Sequence, residues 1–310
     1  MPDGKPLTKV SIAPLPAAAG NLATIEMSDA ELVPLEEAEV LVWQRNSVEG
    51  LAETLAAAPG VRWVQLTSAG VDWLLASGID RPGVMWTCAK GSAMGENAAE
   101  LAVAMILVAS RELHTFLRAH QWLNEAGRRL SGSRVGILGG GGIGRAIAKM
   151  LQPFSVDVTV VKRTPGPIEG AQAVVGPESL DAAISSSDFF VLAAPLTEST
   201  RGVIDERRLD SFRPDAWLVN VARGGLVHTE SLVRALQSST LAGAALDVVE
   251  PEPLPEDHPL WDLPNVILTP HVASTRSMAP GAVAEVLADN LERWANGRPL
   301  AGVVDRALGY

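Results

Sequence analysis

In the N-terminal third of the chain, apolar residues come in short β-rich runs: Lys9–Ile12, Val40–Trp43, Val61–Leu66 and Val84–Thr87. Stretches of helical period such as Val48–Ala58 separate them, which predicts a small α/β unit. A long helix is predicted from Glu96 to Leu123 (ENAAELAVAMILVASRELHTFLRAHQWL). Its first half is almost continuously apolar, so it reads as buried between two bodies. From Arg134 the alternation restarts with VGIL, a glycine turn, a helix to Leu151 and VDVTVV. Further strands are expected at Asp188–Ala193, Ala216–Val221, Ala242–Asp247 and Val266–Leu268, and a last helix over about Ser277–Ala295. β-Branched runs alternating with helices predict a parallel sheet covered on both faces.

The glycine turn, Gly139-x-Gly141-x-x-Gly144, follows a strand and opens a helix. In that context the first glycine permits a tight turn, the second admits a pyrophosphate to the backbone, and the third lets helix and strand pack closely. Strand, turn, helix and second strand follow in order, so the turn is expected to bind a dinucleotide. Such units ordinarily place an acid about 20 residues further on, against a ribose 2′-hydroxyl. This chain has Lys162, Arg163 and Thr164 there. Arg grips phosphate through a planar fork, Lys adds a point charge and Thr a further hydrogen bond, so NADP(H) is the expected cofactor, with NAD(H) still admissible.

Composition narrows the partners. A net charge of −11 over 310 residues argues against nucleic acid. The single cysteine, Cys88, excludes an internal disulfide and a cysteine-based zinc site, fits a reducing compartment, and reads as a small buried hydrophobe. The longest apolar run, Leu101–Ala109, is far short of the ~20 residues of a membrane span, and the opening residues show no signal-peptide core. A soluble cytoplasmic protein is expected. Of the five histidines, His114 and His120 lie at i, i+6 and His228 and His258 have no nameable partner, so no metal site is expected.

Chemically able residues stand at three strand ends: Arg223 in VNVARGGLV, Asp247 and Glu252 in LDVVEPEP, and His271 in LTPHVAS. In an open α/β sheet, groups at the carboxyl ends of strands converge on one crevice. Together with VGILGGGGIGRAIA, APLTESTRGVI, TSAGVD and GENAAELAVAMIL, these segments resemble the D-isomer-specific 2-hydroxyacid dehydrogenases in order and spacing, from about residue 60 to the C-terminus. VLVWQRN and the closing GVVDRALGY look most like the glyoxylate/hydroxypyruvate reductase branch. His228 stands where the family often has Asp after RGGLV.

The resemblance implies a Rossmann-type doubly wound domain, residues 98–275, inserted in a smaller flavodoxin-like α/β substrate domain, residues 1–97 and 276–310, with the active site in the cleft and a homodimeric assembly. It implies Arg223, Glu252 and His271 as catalytic residues. Cofactor contacts would come from Gly139, Gly141, Gly142, Ile143, Gly144, Lys162, Arg163, Thr164, Pro195, Thr200, Val221, Ala222, Arg223, Asp247 and His271. Substrate contacts would come from Ser68, Ala69, Gly70, Arg223 and His271, the first three as a backbone nest for a carboxylate. Trp43, Trp73 and Trp86 either narrow the pocket or fill the core. Within this resemblance Arg223 clamps a small 2-oxo acid, His271 protonates its carbonyl oxygen, Glu252 favours the imidazolium, and the product is the D-2-hydroxy acid. Two other readings share the scaffold. A formate dehydrogenase would pair the histidine with Gln, where this chain has Glu252, and a nucleotide-sensing corepressor would carry extra interaction segments.

Overall fold

The computed structural model describes residues 7–13, 30–91, 93–124, 127–275 and 278–310. Its elements, in chain order, begin with β1 (Thr8–Ala13), β2 (Ala30–Leu32), β3 (Val40–Trp43), α1 (Leu51–Ala57), β4 (Trp63–Leu66), α2 (Asp72–Ser77) and β5 (Met85–Thr87). Then come α3 (Ala93–Ser110), α4 (Leu113–Phe116), β6 (Arg134–Leu138), α5 (Gly142–Leu151), β7 (Asp157–Val161), β8 (Ala173–Val175), α6 (Leu180–Ser186) and β9 (Phe189–Leu192). The remainder is α7 (Glu206–Leu209), β10 (Trp217–Asn220), α8 (Thr229–Gln237), β11 (Gly243–Leu246), β12 (Val266–Leu268) and α9 (Ala279–Ala295). The expected start of the last helix at Ser277 lies outside the described residues. The chain divides into two compact units, one of residues 1–94 and 275–310 and the other of residues 95–274.

The first unit holds a five-stranded parallel sheet in the order β2-β1-β3-β4-β5, the flavodoxin-like order. Alternate residues of β3 serve opposite faces. Leu41 and Trp43 pack with Leu51, Leu55 and Leu74 of α1 and α2, while Val40 and Val42 pack with Leu287 and Leu291 of α9. Both faces are covered, which is why the run VLVW is apolar without interruption. A buried polar network fixes α9: Asn290 donates to Gln65 Oε1 (3.0 Å) and accepts from the Ala301 N–H (2.7 Å). Trp43, Trp86 and Cys88 belong to the core, so these two tryptophans fill it.

The second unit holds a seven-stranded parallel sheet, β12-β11-β10-β9-β6-β7-β8. The chain reverses its direction of growth between β6 and β9, which makes their carboxyl ends the switch point of a Rossmann-type sheet. Val135, Ile137, Val191 and Val219 face α3 and α5, while Phe190, Leu192, Leu218 and Leu246 face α6 and α8. Truncating Ile137, Leu192 or Leu218 to alanine costs about 2–5 kcal/mol.

The single helix expected from Glu96 to Leu123 is corrected to two. It starts at Ala93 and stops at Ser110, because Glu112 takes a left-handed φ of 52° and the Ser110 carbonyl accepts from Arg128 N–H instead of the next helical turn. Two short strands, β2 and β8, were not anticipated; each is three residues at a sheet edge, with partly exposed side chains. No helix among the described residues is long and apolar enough to cross a membrane.

Candidate active site

The three glycines of the turn after β6 are required for different reasons. Gly139 has φ +112°, and a methyl group on it would lie 2.5 Å from the Ala193 carbonyl oxygen. A methyl on Gly144 would overlap the Gly139 carbonyl, so only glycine lets α5 pack so close to the strand end. At Gly141 a methyl would meet no protein atom within 4 Å. The protein's own packing therefore does not require that glycine, and the backbone there is left open to a ligand. Helix α5 starts beside it with neither a side-chain cap nor an acid in its first turn, which leaves its amide groups to an anion. These features fit a dinucleotide's pyrophosphate.

Lys162 lies along the same turn, its aliphatic chain against Gly140. Arg163 and Thr164 follow it, exposed. Arg145, which the sequence reading passed over, folds back from α5 to donate through Nε to the Gly140 carbonyl (3.2 Å). Its signal was a base directly after the third glycine. Beyond β9, the Thr200 hydroxyl donates to the Pro195 carbonyl (2.7 Å) and accepts from Thr197 N–H, so it staples its own loop.

Arg223 follows β10 in extended conformation, after the buried Val221 and Ala222. Asn220 shapes this turn by accepting from Ala222 N–H (3.1 Å) and donating to the Arg223 carbonyl (2.9 Å). His271 follows β12 with φ +53°, a conformation that non-glycine residues seldom adopt, and its N–H donates to the Asp247 carbonyl (2.8 Å). Its Nδ1 lies 2.9 Å from Glu252 Oε2, while Glu252 Oε1 accepts from Val249 N–H (2.9 Å). The Glu252 hydrogen bond raises the His271 imidazole above its ordinary range, outweighing burial and the charge of Arg223. Burial alone would raise the Glu252 carboxyl, but the hydrogen bonds from His271 and Val249, with the nearby positive charges, hold it below the usual carboxylate range.

Asp247 has a task the sequence reading did not foresee. It is 1% exposed and its carboxylate accepts from the Thr269 hydroxyl (2.6 Å), Val272 N–H (2.8 Å) and Ala273 N–H (3.0 Å). Three of its roughly four acceptor sites thus tie down the turn that carries His271. Arg223, Asp247, Glu252 and His271 stand together with the glycine turn in the second unit, at carboxyl ends of its sheet. Ser68, Ala69 and Gly70 belong to the first unit after β4, where the Ser68 hydroxyl donates to the Gly70 carbonyl (2.8 Å) and so is engaged locally. His228 and His258, for which no partner was named, bond to Ser231 Oγ (2.9 Å) and Leu260 N–H (3.3 Å).

Residues 103–273 match the model of the D-isomer specific 2-hydroxyacid dehydrogenase NAD binding domain. The chain is 36% identical over 251 residues to a glyoxylate reductase of Thermofilum pendens, covering 77% of this chain and 74% of that protein. A D-isomer specific 2-hydroxyacid dehydrogenase of Xanthobacter autotrophicus, solved with NADPH and MES, superposes with a TM-score of 0.86 at 30% identity, over 98% of this chain and all of that one. An NADPH-dependent glyoxylate/hydroxypyruvate reductase of Sinorhizobium meliloti, solved with NADP and sulfate, superposes with a TM-score of 0.80 at 26% identity, over 99% of this chain and all of that one. The chain belongs to the D-isomer specific 2-hydroxyacid dehydrogenase family and is an NAD(P)-dependent oxidoreductase.

Proposed function

We propose that the protein reduces a small 2-oxo acid of the glyoxylate or hydroxypyruvate type to the D-2-hydroxy acid, using NADPH. The observation that carries this reading is the His271–Glu252 hydrogen bond in the same unit as Arg223 and the glycine turn. When bound, the cofactor supplies a hydride. Everything else is asked of the protein. Arg223 offers a planar donor fork to the substrate's carboxylate and carbonyl oxygens, and stabilises negative charge as it develops. His271, held protonated by Glu252, delivers a proton to that oxygen from Nε2, since Nδ1 is taken by the carboxylate. Asp247 keeps the histidine turn in place. The turn Ser68–Ala69–Gly70 is assigned to the substrate carboxylate, residues 98–275 to the dinucleotide, and residues 1–97 with 276–310 to the substrate. The same reading expects a cytoplasmic homodimer.

Names of relatives support the substrate class, since glyoxylate reductases and a glyoxylate/hydroxypyruvate reductase are among them. Lys162 and Arg163 support NADPH, because a 2′-phosphate needs cations where an acid would repel it. The test is turnover of glyoxylate, hydroxypyruvate, pyruvate and phenylpyruvate with each cofactor. Efficiency with NADPH is expected to exceed that with NADH at least about tenfold, roughly 1.4 kcal/mol, and Arg163→Asp to remove most of the preference while sparing the maximal rate. Equal use of NADH by the wild type defeats the cofactor assignment, and no turnover on any of the four acids defeats the reaction.

A further inference from the structure

We propose that Arg201 and Glu250 are positioning residues, an ion-paired clamp that fixes the Arg223 turn and the Glu252 loop to one another. The inference rests on the catalytic roles proposed above.

The motif LDVVEPEP offers two glutamates, Glu250 and Glu252. The structure gives them different partners. Glu252 faces His271, whereas both carboxylate oxygens of Glu250 accept from Arg201 Nη1, at 3.0 and 3.2 Å. The pair is seated on the two glycines that follow Arg223. A methyl group on Gly225 would come within 3.0 Å of Arg201 Nη1 and 3.1 Å of Glu250 Oε2. One on Gly224 would overlap the Val249 carbonyl and approach the Glu250 nitrogen. The Val249–Glu250 backbone thus leaves no room for a side chain at Gly224, and the ion pair lies directly over Gly225.

Both loops are tied to the strap on each side. The Thr229 hydroxyl donates to the Glu250 carbonyl (2.8 Å), and Gly202 N–H donates to the Gly225 carbonyl (2.8 Å). One residue before Glu250, Val249 N–H holds Glu252 Oε1 (2.9 Å), and Glu252 Oε2 holds His271. The links run without a gap from Arg201 through Glu250 and Val249 to Glu252 and His271, and through Gly225 and Gly224 to Arg223. Arg201 and Glu250 are 57% and 52% exposed, so their pairing contributes little to global stability. Its effect lies in geometry, where a displacement of about 1 Å costs up to ~100-fold in rate.

The experiment compares Arg201→Met, Glu250→Gln, the double variant and Arg201→Lys. It reads kcat/KM for the 2-oxo acid against pH, NADPH affinity by fluorescence titration, and thermal midpoint. Each single neutral variant is expected to lose about tenfold in kcat/KM, with its loss of activity on raising pH beginning at lower pH than in the wild type. NADPH affinity should stay within about twofold, the double variant should be no worse than either single one, and Arg201→Lys should recover part of the loss. Wild-type efficiency and pH profile in both single variants overturn the clamp, as does a double variant whose loss is the product of the two. A His271→Asn control separates the levels. If it is inactive while the clamp variants are normal, only the clamp fails; if it is fully active, the proposed site fails and takes the clamp with it.

Discussion

The two ends of the seven-stranded sheet use the same residue types to opposite purposes. At the amino ends of its strands, charges cancel one another. Asp188 accepts from Arg134 N–H (2.7 Å) and its guanidinium (3.1 Å), Arg213 binds Asp215 through two 3.0 Å bonds, and Arg128 lies over the Phe189 ring. His114 packs edge-on to Trp217 there, and burial first, then Arg118, lower its affinity for a proton. A cavity of about 480 Å³ opens among these groups, lined by His114, Trp217, Arg128 and Asp215. At the carboxyl ends, Glu252 drives His271 the other way, and Lys162 and Arg145 border the glycine turn with no acidic ion-pair partner among the described residues. A hollow alone does not mark the working end. The difference lies in the shifts: burial lowers the proton affinity of His114, whereas the Glu252 hydrogen bond raises that of His271.

The sharpest way to break this comparison is to exchange each histidine for asparagine. His271→Asn should lower kcat/KM about a thousandfold, the range of a lost general acid, while His114→Asn should stay within about twofold. Comparable losses in both would erase the distinction between the ends. Next in size, Arg223→Lys keeps the charge but not the bidentate fork, and should cost at least about a hundredfold, roughly 3 kcal/mol; near-normal kinetics would remove Arg223 from the site. The smallest effect is a displacement of the pH profile. With His271 as the proposed proton donor and its affinity for the proton raised, the reduction rate should be full at low pH and should fall as pH rises through that elevated value. Glu252→Gln removes the charge that elevates it, so the fall should begin at lower pH. An unmoved profile would mean that some other group governs the proton.

Period and punctuation make much of this fold legible in the sequence. β3 and β12 lie where the apolar runs put them, and α5 ends at Leu151 as expected, because burial on two faces leaves an unbroken apolar signature. The break at Glu112 was hidden. The cue that ends α3 is a carbonyl captured by Arg128, eighteen residues downstream of Ser110 and invisible to a local pattern. The same holds within the site. His271 and Arg223 stand out as polar residues in apolar or glycine-rich settings, but nothing local shows that Asp247 anchors the histidine turn or that Arg201 engages Glu250. Those are contacts across 25 and 49 positions of sequence.

The first unit is assembled from both ends of the chain, and that fixes an order of events during synthesis. Val10, Val40 and Trp63 of its sheet are covered by Leu287, Leu291 and Leu300, which leave the ribosome only after the whole second unit. At about 5–20 residues per second, the whole of the second unit emerges in between, over on the order of tens of seconds. The inserted unit holds all seven strands of its own sheet, whereas the earliest strands of the first unit wait without the α9 side chains that cover one of their faces. A nascent chain stalled short of α9 thus presents the uncovered side of Val10, Val40 and Trp63 to chaperones and proteases.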